Sequence, residues 1–401
     1  MTMGMGSTSR RAFASACGFL ALTAGGILMQ TQAVAAEKSW VYVGTYTNSK
    51  ESPSEGIYRF EFDPADGSLA PKGVAAEFAD PSFLAVHPSK KFLYAVGELG
   101  EFQGAKAGGV GAFSLDAATG ELKPINQQSS GGAHPCHLTV DPTGKAVLVA
   151  NYSGGSVACL PIEADGSLRP ASSFIQHQGK SVDPGRQTAP HAHSVNLDPA
   201  GKIALVADLG LDKVLLYDLD AAAGKLTPHD PAFAEVAAGS GPRHLAWHPS
   251  GRFAYVITEL KNTVDVFAYD KAKGALHEVQ TISTLPDDFQ GASYCAEVVA
   301  HPSGKFVYGS NRGHDSLAIY KVDPATGKLA SAGWAPTGGK NPRNFAIDPT
   351  GGFLLAASQD SDRIVVFRID PETGGLTPVG EPIAVPKPVC IRFVTQPSSA
   401  K

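Results

Sequence analysis

The chain has 401 residues and carries 33 Lys and Arg against 38 Asp and Glu, a formal charge of −5. This mildly acidic balance excludes a nucleic-acid binder built on a basic stripe. Gly (44) and Pro (29) are frequent and Met (4) is scarce; that mix suits a turn-rich β protein, at a length that demands several domains or a large repeat.

The first predicted element is a leader. Ser9-Arg10-Arg11-Ala12-Phe13 precedes an apolar run from Gly18 to Leu28, followed by Ala33-Val34-Ala35-Ala36. Adjacent arginines, a moderate apolar stretch and small residues before a break predict a twin-arginine export signal over 1–36, cleaved after Ala35 or Ala36. The run is shorter than the ~20 apolar residues of a membrane span. Residues 37–401 are then the mature domain, expected to be periplasmic or secreted, monomeric, and without stable membrane insertion. Its cysteines, Cys136, Cys159, Cys295 and Cys390, lack metal-site spacing and are expected to be mostly free, buried thiols.

From Trp40 onward two blocks alternate. One is an apolar run, Asp or His, Pro, a small residue or Gly, and a second apolar run. It occurs at His87-Pro88, Asp141-Pro142, Asp198-Pro199, His248-Pro249, His301-Pro302 and Asp348-Pro349. Such a turn between short runs rich in Val, Phe and Tyr predicts a β-hairpin. The other block is an acidic residue, a short linker, Gly, any residue and Leu. Its glycines are Gly67, Gly120, Gly166, Gly224, Gly274, Gly327 and Gly374, spaced 46 to 58 residues apart. Seven units of this length predict an all-β, seven-bladed β-propeller of four-stranded antiparallel blades. The first unit lacks the Asp/His-Pro block. The C-terminal strand Val389-Cys390-Ile391-Arg392-Phe393-Val394 is predicted to fill that place and close the ring.

In each unit the start of the first strand and the end of the second lie together, on the face opposite the Pro turns. Counting five residues back from each turn gives Ser82, Cys136, His193, Arg243, Ala296 and Arg343. Counting four back gives Phe83, His137, Ser194, His244, Glu297 and Asn344. Just past the second strands stand Glu98, Asn151, Asp208, Glu259, Asn311, Arg312 and Gln359. The first strand is innermost in a propeller blade, so these polar ends ring the channel mouth and form a candidate ligand site. The long connection from Gln176 to His193 adds Arg186 and His191. No nucleotide-binding glycine loop, HExxH, GxSxG or CxxCH motif is present.

Several of these pieces together resemble the lactonase seven-bladed propeller family, which includes 6-phosphogluconolactonases and carboxy-muconate cyclases. They are Pro190-His191-Ala192-His193, Val206-Ala207-Asp208-Leu209-Gly210, Gly241-Pro242-Arg243-His244, Ala254-Tyr255-Val256-Ile257-Thr258-Glu259-Leu260, Ser310-Asn311-Arg312-Gly313 and Asn341-Pro342-Arg343-Asn344-Phe345. The resemblance implies catalytic roles for His193, Arg243, Glu259 and Arg312. His137, His191, Glu297, Asn311 and Arg343 are candidate substrate-binding residues of the same mouth. Independently, the sixteen residues from Arg243 to Glu259 are what two six-residue strands and a tight turn need to bring both ends together.

The implied reaction is opening of a lactone, which needs an activated water and stabilisation of the oxyanion. His193 or Glu259 is the candidate general base, and Arg243 and Arg312 suit an anionic substrate group or the oxyanion. No metal or cofactor is expected, and direct water attack is favoured because no nucleophilic Ser stands out. Export argues for an unphosphorylated aldonolactone in place of the phosphorylated one in the family name. The rival readings are a non-catalytic propeller that binds a ligand or protein at this mouth, and a muconate-type cycloisomerase.

Overall fold

This computed structural model describes residues 37–51 and 53–397, with Met1, Ala12 and Ala14 before them. The predicted export signal otherwise lies outside the described residues. From Ala36 to Lys401 the chain forms one compact unit.

That unit is the predicted propeller: seven four-stranded sheets, each antiparallel. Blade 1 runs, from centre to rim, Pro388–Thr395, Ser39–Thr45, Gly56–Asp63 and Ser68–Glu77. Blades 2 to 7 follow in chain order over 84–129, 135–176, 192–235, 242–283, 294–336 and 342–384. The C-terminal strand pairs with the first strand from Ser39↔Thr395 to Thr45↔Pro388, which seals the ring as expected.

The repeat has a physical basis in contacts between neighbouring blades. Each of the seven turn glycines takes a φ between +63° and +86°, a region open to Gly and costly for other residues. Their carbonyls are used as well. The hydroxyls of Tyr42, Tyr94, Tyr255 and Tyr308 donate to the carbonyls of Gly120, Gly166, Gly327 and Gly374, each on the next blade, at 2.7 to 3.3 Å. The alternation of Asp and His before Pro has a similar explanation. Asp141, Asp198 and Asp348 accept backbone N–H groups of their own hairpin turn. His87, His248 and His301 accept a backbone N–H at Nδ1 and donate from Nε2 to Gly144, Gly304 and Gly351 of the next blade.

The core consists of apolar layers between successive blades. One of them, with Val41, Phe60 and Phe62 against Phe353, Leu355 and Ile364, joins blade 1 to blade 7. Burial of each large side chain contributes about 1.5–3 kcal/mol, so these layers hold the ring together. Cys136, Cys159, Cys295 and Cys390 are free and buried, as expected.

Candidate active site

A local irregularity decides which side chains reach the channel mouth. In four innermost strands the pairing skips one residue next to the first Pro or Ala: Cys136, His193, Arg243 and Arg343. In blade 6 the skip covers Ala296 and Glu297. An extra residue in one strand bends it locally and re-aims its side chain. The bulged residues of blades 3, 4, 5 and 7 are the ones that the count of five back from the turn selected.

The mouth holds a pocket of about 310 Å³ lined by Glu98, Cys136, Tyr152, Arg186, His193, Glu259, Tyr294, Arg312 and Arg343. Its organising group is Glu259, only 4% exposed. Glu259 Oε1 accepts from Arg186 Nη2 at 2.6 Å. Its Oε2 accepts from Arg243 Nε at 3.0 Å and lies 2.9 Å from Arg312 Nη2. Burial works to raise the Glu259 pKa, but the guanidinia of Arg312, Arg243 and Arg186 outweigh it and hold the carboxyl down at about 2. Arg243 is lowered to about 10 by burial and by the like charges of Arg312 and Arg343, and remains a cation at neutral pH.

His193 stands beside this cluster, its Nε2 3.8 Å from Glu259 Oε2. Burial first, then the positive charge of Arg243, pushes its pKa well below the usual imidazole value, so the ring is neutral. Nδ1 lies 3.6 Å from the Cys136 sulfur, whose thiol donates to the His193 carbonyl at 3.3 Å. That arrangement suits a protonated Nδ1 and leaves Nε2, which hydrogen-bonds no described residue, as an acceptor at the pocket. Arg343 packs its guanidinium over the Tyr46 ring, 5.4 Å from the centroid. It makes no hydrogen bond or ion pair with any described residue. The Tyr46 hydroxyl donates to Glu98 at 2.9 Å on the same wall.

Of the nine residues selected from sequence, His193, Glu259, Arg312 and Arg343 line the pocket. Arg243 lies behind Glu259, 2% exposed. Four candidate binding residues are placed elsewhere, each for a visible reason. His137, one residue beyond the bulge, turns into the channel core and packs on Phe83 at 4.0 Å between ring centroids. Glu297 is buried there too, accepting from His244 Nδ1 at 2.9 Å. Asn311 is fully buried and donates to Ser316 Oγ of its own blade and to the carbonyl of Thr284, just past the outer strand of blade 5, a structural tie between the two blades. His191 stacks on Tyr152 at 4.6 Å and donates from Nδ1 to the Tyr152 carbonyl, so it supports a pocket residue from outside.

Tyr152 and Tyr294 were not anticipated. Tyr152 follows Asn151 as Arg312 follows Asn311, and that repeat correspondence is a signal that identifies it. Arg186 is delivered by the long connection before blade 4. Gln187, fully buried, donates to Asp212 at 2.8 Å, and Asp212 also accepts the backbone N–H groups of Gly239 and Gly241. Among the described residues no three His, Cys, Asp or Glu side chains converge as a metal site, and no helix is long and apolar enough to cross a membrane.

Comparison with known proteins agrees with this fold and places the chain in a family. The family model described as "Lactonase, 7-bladed beta-propeller" matches residues 40–393. A Bacillus subtilis protein named 6-phosphogluconolactonase is 39% identical over 355 residues, 88% of this chain and 98% of the relative. A Formosa agariphila protein of the same name is 34% identical over 312 residues, 77% of this chain and 86% of the relative. The solved structure described as a periplasmic gluconolactonase of Pseudomonas aeruginosa superposes with a TM-score of 0.84 at 38% identity, covering 90% of this chain and all of the other.

Proposed function

We propose, from the premise that the chain belongs to the seven-bladed β-propeller lactonase family and is a lactonase, that it opens an unphosphorylated sugar lactone by direct attack of water at the channel mouth. The observation that carries this reading is the contrast between Arg343 and its neighbours. Three guanidinia share the Glu259 carboxylate in close ion pairs, while Arg343 forms no close ion pair with any described residue, feels Glu98 and Glu259 only at longer range, and faces the same pocket as the neutral His193.

In the proposed reaction, His193 Nε2 accepts a proton from water as its oxygen attacks the carbonyl carbon. The C=O electron pair moves onto oxygen, and the oxyanion is stabilised by Arg343. Collapse re-forms the carbonyl and breaks the bond to the ring oxygen, which takes the proton from His193. The product is a hydroxy acid, which releases a proton to solvent. Glu259 is a poor base here, because its oxygens already serve three cations. It acts instead as the counter-ion that keeps those cations in place. The cleft size, at the low end for ligand pockets, suits one small sugar ring.

A phosphate dianion would need more unpaired positive charge than one guanidinium, which favours the unphosphorylated substrate. The Pseudomonas aeruginosa neighbour, described as a periplasmic gluconolactonase, agrees with this choice, and so does the export signal read in residues 1–36. We place the mature protein outside the cytoplasm, as a single-chain enzyme. Rates on D-glucono-1,5-lactone and 6-phosphogluconolactone, corrected for spontaneous opening, test the assignment. The expected kcat/KM is at least as high for the unphosphorylated lactone, with a loss of ~100-fold in Arg343→Ala. A tenfold preference for the phosphorylated lactone overturns the substrate choice.

A further inference from the structure

Beneath the pocket the channel holds a chain of buried polar groups that the reaction above does not use. Glu297 Oε1 accepts from His244 Nδ1 at 2.9 Å, and its Oε2 accepts from the Asn344 side-chain amide. Asn344 is itself anchored, since its Oδ1 accepts the Ile391 backbone N–H of the closing strand at 2.8 Å. On its other edge His244 Nε2 lies 3.2 Å from Arg243 Nη1. A guanidinium has no acceptor, so Nη1 donates and Nε2 is the bare nitrogen. The remaining Nη1 hydrogen goes to the Ala296 carbonyl at 2.6 Å, and Nε donates to Glu259. The Arg243 fork is thereby held at three points, and only its Nη2 lacks a partner among the described residues.

We propose that Glu297 and His244 are positioning residues, which fix the plane of the Arg243 guanidinium and, through it, the Glu259 carboxylate beneath the reacting group. The tautomer explains why both are needed. The Glu297 carboxylate only accepts, so it requires a proton on Nδ1 of His244. A neutral ring then has no proton on Nε2, the nitrogen that must receive Arg243. Burial, which lowers the His244 pKa, keeps the ring neutral. With an imidazolium, or with the other tautomer, an N–H would point at the guanidinium and push it away. The inference rests on the proposed lactone opening only for its kinetic consequence; the tautomer is a property of the folded chain.

Two readouts separate the possibilities. In ¹⁵N-histidine-labelled protein, long-range ¹H–¹⁵N spectra assigned with His244→Gln should show His244 as the Nδ1–H tautomer. Glu297→Gln should shift it toward Nε2–H, because an amide can also donate to Nδ1. A wild-type His244 that is Nε2–H or doubly protonated overturns the proposal whatever the activity. In kinetics, His244→Phe should lower kcat ~10–100-fold with KM changed less than about threefold, the signature of lost transition-state alignment. His244→Gln, which retains an acceptor toward Arg243 and a donor toward Glu297, should recover at least tenfold of a hundredfold loss. Equal losses in the two variants, or a His244→Phe rate within twofold of wild type, contradict the positioning role. Absence of lactone opening in the wild type would refute the functional reading instead, with the spectra still deciding the relay.

Discussion

The chemistry of the mouth depends on one carboxylate shared by three guanidinia. Glu259 is held at about pKa 2, below the ordinary value of about 4.5 that applies in the unfolded chain. Its stabilisation is therefore complete above pH 4.5 and is lost as pH falls toward 2. The difference corresponds to about 3 kcal/mol. Glu259→Gln should destabilise the protein by ~3–5 kcal/mol at pH 7, since it leaves three cations facing one another in a buried place. The gap from wild type should narrow below pH 4.5. Urea titrations at pH 7 and pH 4 test this, and a variant as stable as wild type at neutral pH would refute the clamp. At this scale the sequence was legible where repeat arithmetic applied: His193, Arg243, Glu259 and Arg312 follow from counting between turns. Cys136 and His137 show its limit. Adjacent strand residues face opposite ways, and the bulge, invisible in sequence, decides which one meets the pocket. Tyr294 escaped notice because nothing in the repeat marks it out.

Blades are joined by the turn glycines and the groups that meet them. Gly166 has φ +85°, and a Cβ there would lie 2.3 Å from the Phe92 ring. The same turn offers its carbonyl to Tyr94. Gly73 has φ +86°, and a Cβ there would meet nothing within 4 Å. Gly166→Ala combines backbone strain with overpacking and should cost ~2–4 kcal/mol, whereas Gly73→Ala should cost only the strain, ~1–2 kcal/mol. Equal costs in chemical denaturation would show that the inter-blade contact contributes nothing. The elements were legible because both turn chemistries repeat, and the missing first block indicated where the closing strand belongs. The path of the connection from His177 to His191 was not legible. Its course depends on ties such as Gln187 to Asp212, formed between residues 25 positions apart.

For the whole molecule, the ring converts seven modest hairpin repeats into one rigid mouth. Side chains from blades 3 to 7, together with Glu98 after the second strand of blade 2, converge there although they span residues 98 to 343. The overall architecture was readable because radial repetition leaves a periodic mark in the chain. The pocket's balance of charge was not, since it depends on which arginine is left without a close ion pair to a carboxylate. The central claim is that this mouth opens lactones with neutral His193 as the base. Its most direct test is pH-stat acid release from D-glucono-1,5-lactone by wild type and His193→Ala, each corrected for spontaneous opening. The account predicts release by wild type well above background, an acid limb below pH 6.5 set by protonation of His193, and a loss of ~100-fold or more in the variant. Wild-type release no faster than the uncatalysed reaction, or a variant that retains the full rate, would contradict it.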